Sequence, residues 1–411
     1  MDLTRLDPIT YKPDVLIEGY EYLIWTERFA DAGEFEMKTA KVDITRSLIP
    51  PNSLVSLVDS SVVMIVETHS VSRTDSGEQW LTVYGRSFES FLRHRLLLAI
   101  TYNEPWVAIK PYTPSEFISL LLWNGIVNAT GEDPTRATQN IETLTAVPNT
   151  MITDSTTVTY PAQSWVLESG ELYSAVRDHL TKWTLGVRSI RPLHFTSYGY
   201  EMIFDTSETA TRGDVTKTLR ASISKLRLDV YNGVDRTRHQ IDRTPLVFQY
   251  LAGHIDSPSY LMSDQDHKNI AVLATSVGSR TVWADTVPGS TLSGLDRKLL
   301  FMDGGSIGSL SGTAFTDFTI QKGLTELSKH EVARYFDGAI SMAAPYKFGQ
   351  HYQLGDSITL IGQYGFEESM VISEYIRTED SAGERGYPGL SRAVWEETEG
   401  VRRFRGPSQW T

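Results

Sequence analysis

The chain has 411 residues, enough for two to four domains with a sizeable core. Its net charge of −13 comes from 38 basic and 51 acidic side chains and argues against a protein that grips nucleic acid with its whole surface. Cysteine is absent, which excludes disulfides, thiolate metal sites and a cysteine nucleophile. Residues 1–13 are polar and no apolar run is long enough to span a bilayer, so we expect no signal peptide and no stable membrane insertion.

The N-terminal part of the chain has the pattern of β-strands. Apolar and polar residues alternate in five segments separated by turn residues: 21–26, 34–37, 54–58, 64–66 and 80–85. Phe88, Phe91 and Leu92 then follow at helical spacing. The pattern predicts a β-domain over residues 1–98 that closes with a short helix.

Residues 99–225 have a mixed pattern, which predicts an α+β domain. One helix is expected to begin at Pro114 and a second to run from Leu172 to Trp183. Residues 128–159 between them are rich in Thr, Asn, Asp and Pro, and are expected to form a long surface excursion. Strands are expected within 195–204.

The β pattern returns over residues 226–390 and predicts a second β-domain. Its expected strands are 226–231, 246–250, 270–274, 280–283 and segments of 352–377. An inserted region around 286–340 combines a Gly/Ser-rich loop, 304–312, with a helix predicted over 324–336. Residues 391–411 include Arg402, Arg403 and Arg405 and are expected to form a basic extension without a core of its own.

The two β-domains share a faint sequence echo. Val62 to Glu78 and Glu368 to Glu384 can be aligned without a gap, so that Met64 falls on Met370 and Gly77 on Gly383. In each copy an apolar strand leads through an acidic, glycine-containing turn to a second strand. The echo is explained either by duplication of one β-unit or by the general preference of hairpin turns for Asp, Ser and Gly.

One segment matches a catalytic motif. Gly304 to Gly308 fits the G-x-S-x-G nucleophile elbow with Ser306 as nucleophile, and Asp337 and His351 follow in the order of a hydrolase triad. The elbow requires a strand before the serine and a helix directly after it, and residues 309–313 make a poor helix start. We therefore interpret the segment as a loop.

Two further clusters have incomplete metal-binding patterns. His330-Glu331 opens like the zinc motif H-E-x-x-H, but Arg334 stands where the second histidine is required. Asp264, Asp266 and His267 lack the spacing and the glycine of a calcium loop and are expected to form a polar turn.

The adjacent carboxylates Glu367-Glu368 and Glu396-Glu397 cannot act as an acid–base couple on strands, because neighbouring side chains point to opposite faces. We expect no catalytic residue, no metal and no cofactor.

Several short segments together resemble the tail-hub, or minor tail, proteins of long-tailed phages and prophages of the siphovirus type. They are Ile24 to Phe29, Gly33 to Glu36, Tyr84 to Ser87, Val230 to Thr237, Pro245 to Phe248 and Leu354 to Ile358. The resemblance spans most of the chain, but leaves out the excursion at 128–159 and the basic extension.

The resemblance implies a mainly β fold with α+β insertions and two tail-tube-like β-barrels, residues 1–98 and 226–390. It also implies a homotrimeric ring at the tail tip of the virion, assembled in the host cytoplasm. Implied partners are the distal tail protein, the tape measure protein and other tail-tip or fibre proteins, and genomic DNA would pass through the lumen without specific binding. The acidic balance agrees with this, since a negative lumen repels phosphate.

Two other functions remain open from the sequence. One is a cell-wall hydrolase with Ser306 as its only nominal nucleophile, and the other is a receptor-binding tail-tip protein, which the aromatic content of 10% would suit. Many proteins similar to tail hubs continue into a peptidase or lysozyme-like module, and this sequence ends at Thr411 without one, which favours the structural role.

Overall fold

We analysed a computed structural model of the chain. The residues that the structure describes are 1–97, 106–108, 110–127, 150–167, 170–191, 195–197, 200–202, 207–212, 215–220, 226–275, 278–283, 292–303, 312–330, 332–341, 344–363 and 367–390. Ser306, Glu331, Glu396-Glu397, the basic extension and most of the predicted excursion lie outside them.

The first seven strands form one end of a large sheet. They are β1 (Leu3–Leu6), β2 (Pro13–Ile17), β3 (Tyr20–Arg28), β4 (Glu34–Thr39), β5 (Leu54–Leu57), β6 (Met64–Arg73) and β7 (Gln79–Ser87), with helix α1 (Val42–Leu48) between β4 and β5. Their order in the sheet is 3-4-7-6-5-1-2. All seven contribute to one core, which includes Trp25 and Met64, so the sheet curls around its own apolar side chains.

A 3-10 helix, Phe88–His94, follows β7 and leads into a central region. The strands of that region are β8 (Leu96–Leu97), β9 (Trp106–Val107), β10 (Thr150–Asp154), β11 (Val166–Leu167), β12 (Gly170–Glu171), β13 (Leu185–Ile190), β14 (Phe195–Ser197), β15 (Tyr200–Met202), β16 (Ser207–Arg212), β17 (Val215–Arg220) and β18 (Leu226–Asn232). Helices α2 (Pro114–Leu122), which continues as a π-helical turn at Trp123–Val127, and α3 (Leu172–Trp183) pack against each other and against the sheet β10-β18-β13.

Both central helices lie where the sequence predicts them. Thr113 caps α2 by accepting a hydrogen bond from the Glu116 amide, and the Glu116 carboxylate accepts one from the Thr113 amide in return. Helix α3 ends at Thr184, whose φ of 51° is left-handed.

The remaining strands complete the large sheet and carry an insertion. They are β19 (Val247–Gln249), β20 (Ile255–Ser263), β21 (Ile270–Thr275), β22 (Gly278–Trp283), β23 (Leu299–Asp303), β24 (Ala333–Ile340), β25 (Ser357–Ile361), β26 (Glu367–Asp380) and β27 (Gly383–Leu390). Strands β20 and β24 pair with each other, and the insertion between them packs helix α4 (Gly312–Ser328) against the small sheet β22-β21-β23.

One pairing joins the two ends of the chain. Strand β26 runs antiparallel to β3, with Glu374 opposite Arg28 and Glu379 opposite Leu23. Through this pairing β19, β25, β26 and β27 join the first seven strands in a single 11-stranded sheet. The fold is therefore mainly β with α+β insertions, as predicted.

Two sequence expectations need correction. The described strands form no closed barrel. Closure of the first seven strands would require β2 to pair with β3, but β3 pairs with β4 and β26, and the outer edge of β2 has no described partner. The helix predicted over 324–336 is instead α4, which ends at Ser328, and residues from Ala333 onward form β24. The apolar residues Ala333, Tyr335 and Phe336 fit both the periodicity of a helix and that of a strand. The pairing with β20 stabilises the strand.

The echo between the two ends corresponds to two similar hairpins. Met64 and Met370 are both fully buried, each in the first strand of a long antiparallel hairpin, β6–β7 and β26–β27. The β-bulge in β6 falls at Glu67, and the bulge in β26 falls at Ser373, which is the aligned position.

The strand that precedes each hairpin repeats as well. The amide of Asn52 donates to Val66 O at 2.7 Å, and the amide of Gly355 donates to the aligned Ile372 O at 2.8 Å. Asn52 and Gly355 both have positive φ, 71° and 87°, so both turns use the left-handed region. A shared bulge, turn and register are more than the common preferences of hairpin turns require, and they favour duplication of one unit.

If the hairpins are equivalent, their buried methionines should contribute similarly to stability. We expect Met64→Ala and Met370→Ala each to lower the free energy of unfolding by about 2–5 kcal/mol, since both side chains are fully buried. The exposed Ile44→Ala serves as control and should cost less than about 0.5 kcal/mol. Urea denaturation measures all three, and a negligible cost for one methionine alone would contradict the equivalence.

Candidate functional site: the junction of four sequence motifs

The segments that resemble tail proteins are far apart in sequence but meet in the structure. Phe29, at the end of β3, is 4% exposed and packs edge-on against Tyr231, with ring centroids 5.3 Å apart at 77°. A methyl group built on Gly355 would lie 2.3 Å from the Phe29 ring, and one on Gly186 would lie 2.5 Å from it. The ring thus fills a space that only glycines leave open, between the first strands, the central sheet and the last strands.

Backbone atoms of two motifs are in direct contact beside this ring. A Cβ atom on Gly233 would lie 1.8 Å from the Gly355 carbonyl oxygen, so no side chain fits between the chains. The buried Asp356 carboxylate stabilises this contact with two hydrogen bonds. It accepts hydrogen bonds from the Val234 amide at 2.8 Å and the Arg236 guanidinium at 2.8 Å. These residues hold the Asn-Gly turn against the start of β25.

A buried ion pair crosses the seam between β3 and β26. The Arg28 guanidinium donates to Glu34 at 2.6 Å, to Glu374 at 3.2 Å and to the Ala32 carbonyl at 3.0 Å. Burial by itself would lower the pKa of Arg28, but Glu34 and Glu374 raise it above its ordinary value. The backbone hydrogen bonds and the ion pair join the same two strands, β3 and β26. Separating these strands would therefore leave a buried charge without its partner.

A second charged contact stabilises the other end of the β3–β26 pairing. Arg377 of β26 reaches Asp59, which follows β5, at 2.8 Å, and Glu384 of β27 at 2.6 Å. Tyr20 donates to Glu379 at 2.8 Å from β3. Residues from both ends of the chain therefore share one polar network along β26.

The central region docks on the first strands through buried polar groups. Tyr173 of α3 donates to the Asp31 carboxylate and accepts a hydrogen bond from the Ala32 amide at 2.8 Å. Ser189 accepts a hydrogen bond from the Val63 amide at 3.0 Å. Arg191 is 2% exposed and donates to the Leu57 carbonyl at 2.9 Å. These contacts fix the orientation of the central region relative to the large sheet.

Glu89 lies at this docking surface and has a shifted pKa. It is buried, its Oε1 accepts a hydrogen bond from Ser87, and it shares the lining of a small cavity with Asp31, Tyr173 and Arg177. Burial raises the pKa of Glu89 to about 7, with Asp31 and Glu27 adding to the rise and Ser87 opposing it.

Of the candidate catalytic motif, Asp337 and His351 lie in different elements, and Ser306 lies outside the described residues. Asp337 lies within β24 opposite Ser259, and His351 lies in a turn where its Nδ1 accepts from the Lys347 amide at 2.9 Å. A strand, β23, does precede Ser306 and a helix, α4, does follow it. The described part of that helix begins at Gly312, and the residues between Ser306 and Gly312 lie outside the described residues.

The predicted polar turn is held by its own contacts. Asp264 pairs with Lys298 at 2.5 Å, which lowers the pKa of Asp264, and the His267 ring lies 3.0 Å from the His330 carbonyl. Glu367 pairs with Arg238. Within the described residues no group of three or more His, Asp or Glu side chains is placed to hold a metal ion, and no helix is long and apolar enough to cross a membrane.

Comparison with known proteins identifies the family. A family model described as the siphovirus ReqiPepy6 Gp37-like protein matches residues 10–386. The chain belongs to this siphovirus protein family. No curated protein matches the sequence.

Solved structures of three tail proteins are similar at low sequence identity. The tail protein from Neisseria meningitidis MC58 has 11% identity and a TM-score of 0.49, over 95% of this chain and 96% of that one. The 43 kDa tail protein of prophage MuSo2 from Shewanella oneidensis has 12% identity and a TM-score of 0.49, over 95% and 98%. Prophage tail protein gp18 from Listeria monocytogenes EGD-e has 9% identity and a TM-score of 0.46, over 96% and 95%. The family assignment depends on the match over residues 10–386.

The sequence contained the junction motifs but not their contacts. The pairs Gly233–Gly355 and Phe29–Gly355 could be found only from the fold, because no periodicity links positions so far apart. The buried residues Asp31, Glu89 and Arg191 were missed, although isolated charged residues beside apolar strands, such as Glu89 between Phe88 and Phe91, were a usable signal.

Adding a methyl group at Gly355 should disrupt the junction. We expect Gly355→Ala to lower the free energy of unfolding by about 1–3 kcal/mol more than Gly349→Ala, because overpacking against Phe29 adds to backbone strain. Gly349 is a matched control, since its φ of 77° is also left-handed but its Cβ would meet open space. Equal costs in urea denaturation would show that Phe29 does not require the glycine.

Ionisation of Glu89 should weaken docking of the central region as pH rises. A carboxyl whose pKa is raised to about 7 on folding contributes stability that is present at low pH and lost as pH rises through 7. Between pH 5.5 and 8.5 we expect the wild type to lose about 2 kcal/mol relative to Glu89→Gln, which stays neutral, because stability falls by about 1.4 kcal/mol per pH unit up to pH 7. Urea midpoints at the two pH values measure the difference, and parallel pH profiles would contradict it.

Proposed function

We propose that this siphovirus protein is a structural tail hub. In this proposal three copies form a ring that ends the tail tube, lines the DNA channel and anchors the proteins of the tail tip. The observation that carries the proposal is the repeated unit, a strand, a left-handed turn and a bulged hairpin, that occurs at both ends of the chain and is joined in one sheet.

The repeat explains how three chains could meet a six-fold tube. Residues 1–98 and 226–390 would be the two tube-like units, so three copies would supply six similar units around one axis. The β3–β26 pairing supports this arrangement, because it fixes the two units side by side within one sheet.

The outer face of the sheet has properties that suit a channel wall. On β3, β4 and β7 one face is buried in the core, and the other carries polar side chains such as Tyr22, Thr82 and Tyr84. Charges on this face are neutralised in pairs, for example Arg86 with Glu67 at 2.7 Å. A face with paired charges on a chain of net charge −13 would let DNA phosphates pass without binding.

The hub would have protein partners rather than a substrate. The distal tail protein would contact the ring on the side of the tube, the tape measure protein would end in its lumen, and tip or fibre proteins would bind the central region and the insertion. In this proposal the chain has no enzymatic activity.

The proposal is tested by the mass of the purified protein and by electron microscopy. We expect a particle of about three times the 46.1 kDa chain mass with a central hole, either in solution or after incubation with purified tail tubes. Bound particles should lie at one end of each tube. A chain that stays monomeric in solution and leaves the tubes unchanged would overturn the proposal.

A further inference from the structure

One half of β6 has an edge that no described strand occupies. Residues Thr68 to Arg73 pair with β7 on one side, whereas β5 pairs only with Met64 and Ile65 on the other. Val71 in this segment is 51% exposed. An exposed edge of this length presents free backbone donors and acceptors and is a template for another strand.

The aligned edge in the second unit is occupied. The register that places Met64 on Met370 also places Thr68 on Glu374 and Arg73 on Glu379. These residues of β26 pair with β27 on one side and with β3 on the other. The Phe29 amide donates to the carbonyl of Ser373, the bulge residue, at 2.8 Å. The first unit therefore has an acceptor edge whose counterpart in the second unit already binds a strand.

The strand equivalent to β3 in the second unit is β20. Both have nine residues, and each pairs antiparallel with the next strand of its unit, β3 with β4 and β20 with β24. Strand β4 then pairs with β7, and β24 likewise contacts β27. The insertion that contains α4 occupies the place of the short turn between β3 and β4.

The outer edge of β20 is also unoccupied by any described strand. Its pairing partner is β24, with a bulge between Asp256 and Ser259. Pro258 lies at this bulge, and proline is confined to edge strands or bulges because it has no amide hydrogen to donate. Among the described strands, β20 can thus act as a donor strand and the Thr68–Arg73 edge of β6 as an acceptor edge, since no described strand occupies either position.

We propose that β20 of one copy pairs antiparallel with the Thr68–Arg73 edge of β6 in a second copy of this chain. This inference rests on the proposed trimeric hub and names its interface. Pairings of β3 with β26 inside a chain would alternate with pairings of β20 with β6 between chains. Since the contact is head to tail, three copies would close a ring of six units without a free edge at either position.

Val71 offers a selective test of the edge. The Thr74 amide donates towards β7, to Glu78 O at 2.9 Å, so by alternation the Val71 amide faces the unoccupied side. We expect Val71→Pro, which removes that donor, to weaken association at least tenfold, while Val71→Thr, which keeps it, assembles as the wild type does. Sedimentation measures association, and thermal unfolding checks the fold. Trimers of Val71→Pro as stable as those of Val71→Thr would overturn the inference.

A cross-linking experiment covers the case in which Val71→Pro does not fold. Because the chain has no cysteine, Ser70→Cys can be combined in turn with Ser257→Cys, Ser259→Cys and Leu261→Cys, so that one pair falls within disulfide distance. We expect oxidation of one such double variant to give dimer and trimer bands without reducing agent, and the single variants to give none.

The outcomes separate the inference from the function on which it rests. If purified chains are monomeric, the cysteine variants are oxidised in assembled tails. A ring that forms without any cross-link in the three pairs would overturn the strand pairing and leave the hub standing. The absence of a ring both in solution and on tails would overturn the hub itself.

Discussion

The antiparallel pairing of β3 with β26 is the constraint on which the rest of the structure depends. It joins segments about as far apart in sequence as the chain permits, and the loop entropy of such a contact must be offset by interactions formed together. The backbone ladder, the Arg28–Glu374 ion pair and the packing of Phe29 on Gly355 all lie at this seam. The polar groups at the seam have all their hydrogen-bond partners only when β3 and β26 are paired. The interactions at the seam therefore form and break together.

The buried charges of the junction give it a defined geometry more than they give it stability. Removing Arg28, Glu374 and Asp356 from water is costly, and well-packed apolar residues could fill the same space. A carboxylate such as Asp356, however, accepts hydrogen bonds in few directions, and its bonds to Val234 and Arg236 fix one orientation of the turn. A component whose neighbours must fit around an axis benefits from such fixed angles, which supports a structural role for the site.

Local parts of the fold could be predicted from the sequence, and long-range parts could not. The helix that begins at Pro114, the helix Leu172–Trp183 and the strands β21 and β22 each depend on neighbours within a few residues, and each was predicted. The first four residues of the strand Ala333–Ile340 were predicted as the end of a helix, because the pairing with β20 that makes them a strand spans the whole insertion. The motifs around Phe29, Gly233 and Gly355 indicated the family, but their meeting point required the seam.

The incomplete closure of the sheet connects the fold to the proposed assembly. A barrel closed between β2 and β3 would leave no edge, and β26 could not then pair with β3. By leaving β3 open on that side, the first unit can accept the second unit of its own chain. The same argument applies to β20 and β6. Their pairing would join two copies of the chain, as the pairing of β3 with β26 joins two units within one chain. A unit that closes upon itself can only pack against its neighbours, whereas an open one can share its sheet with them.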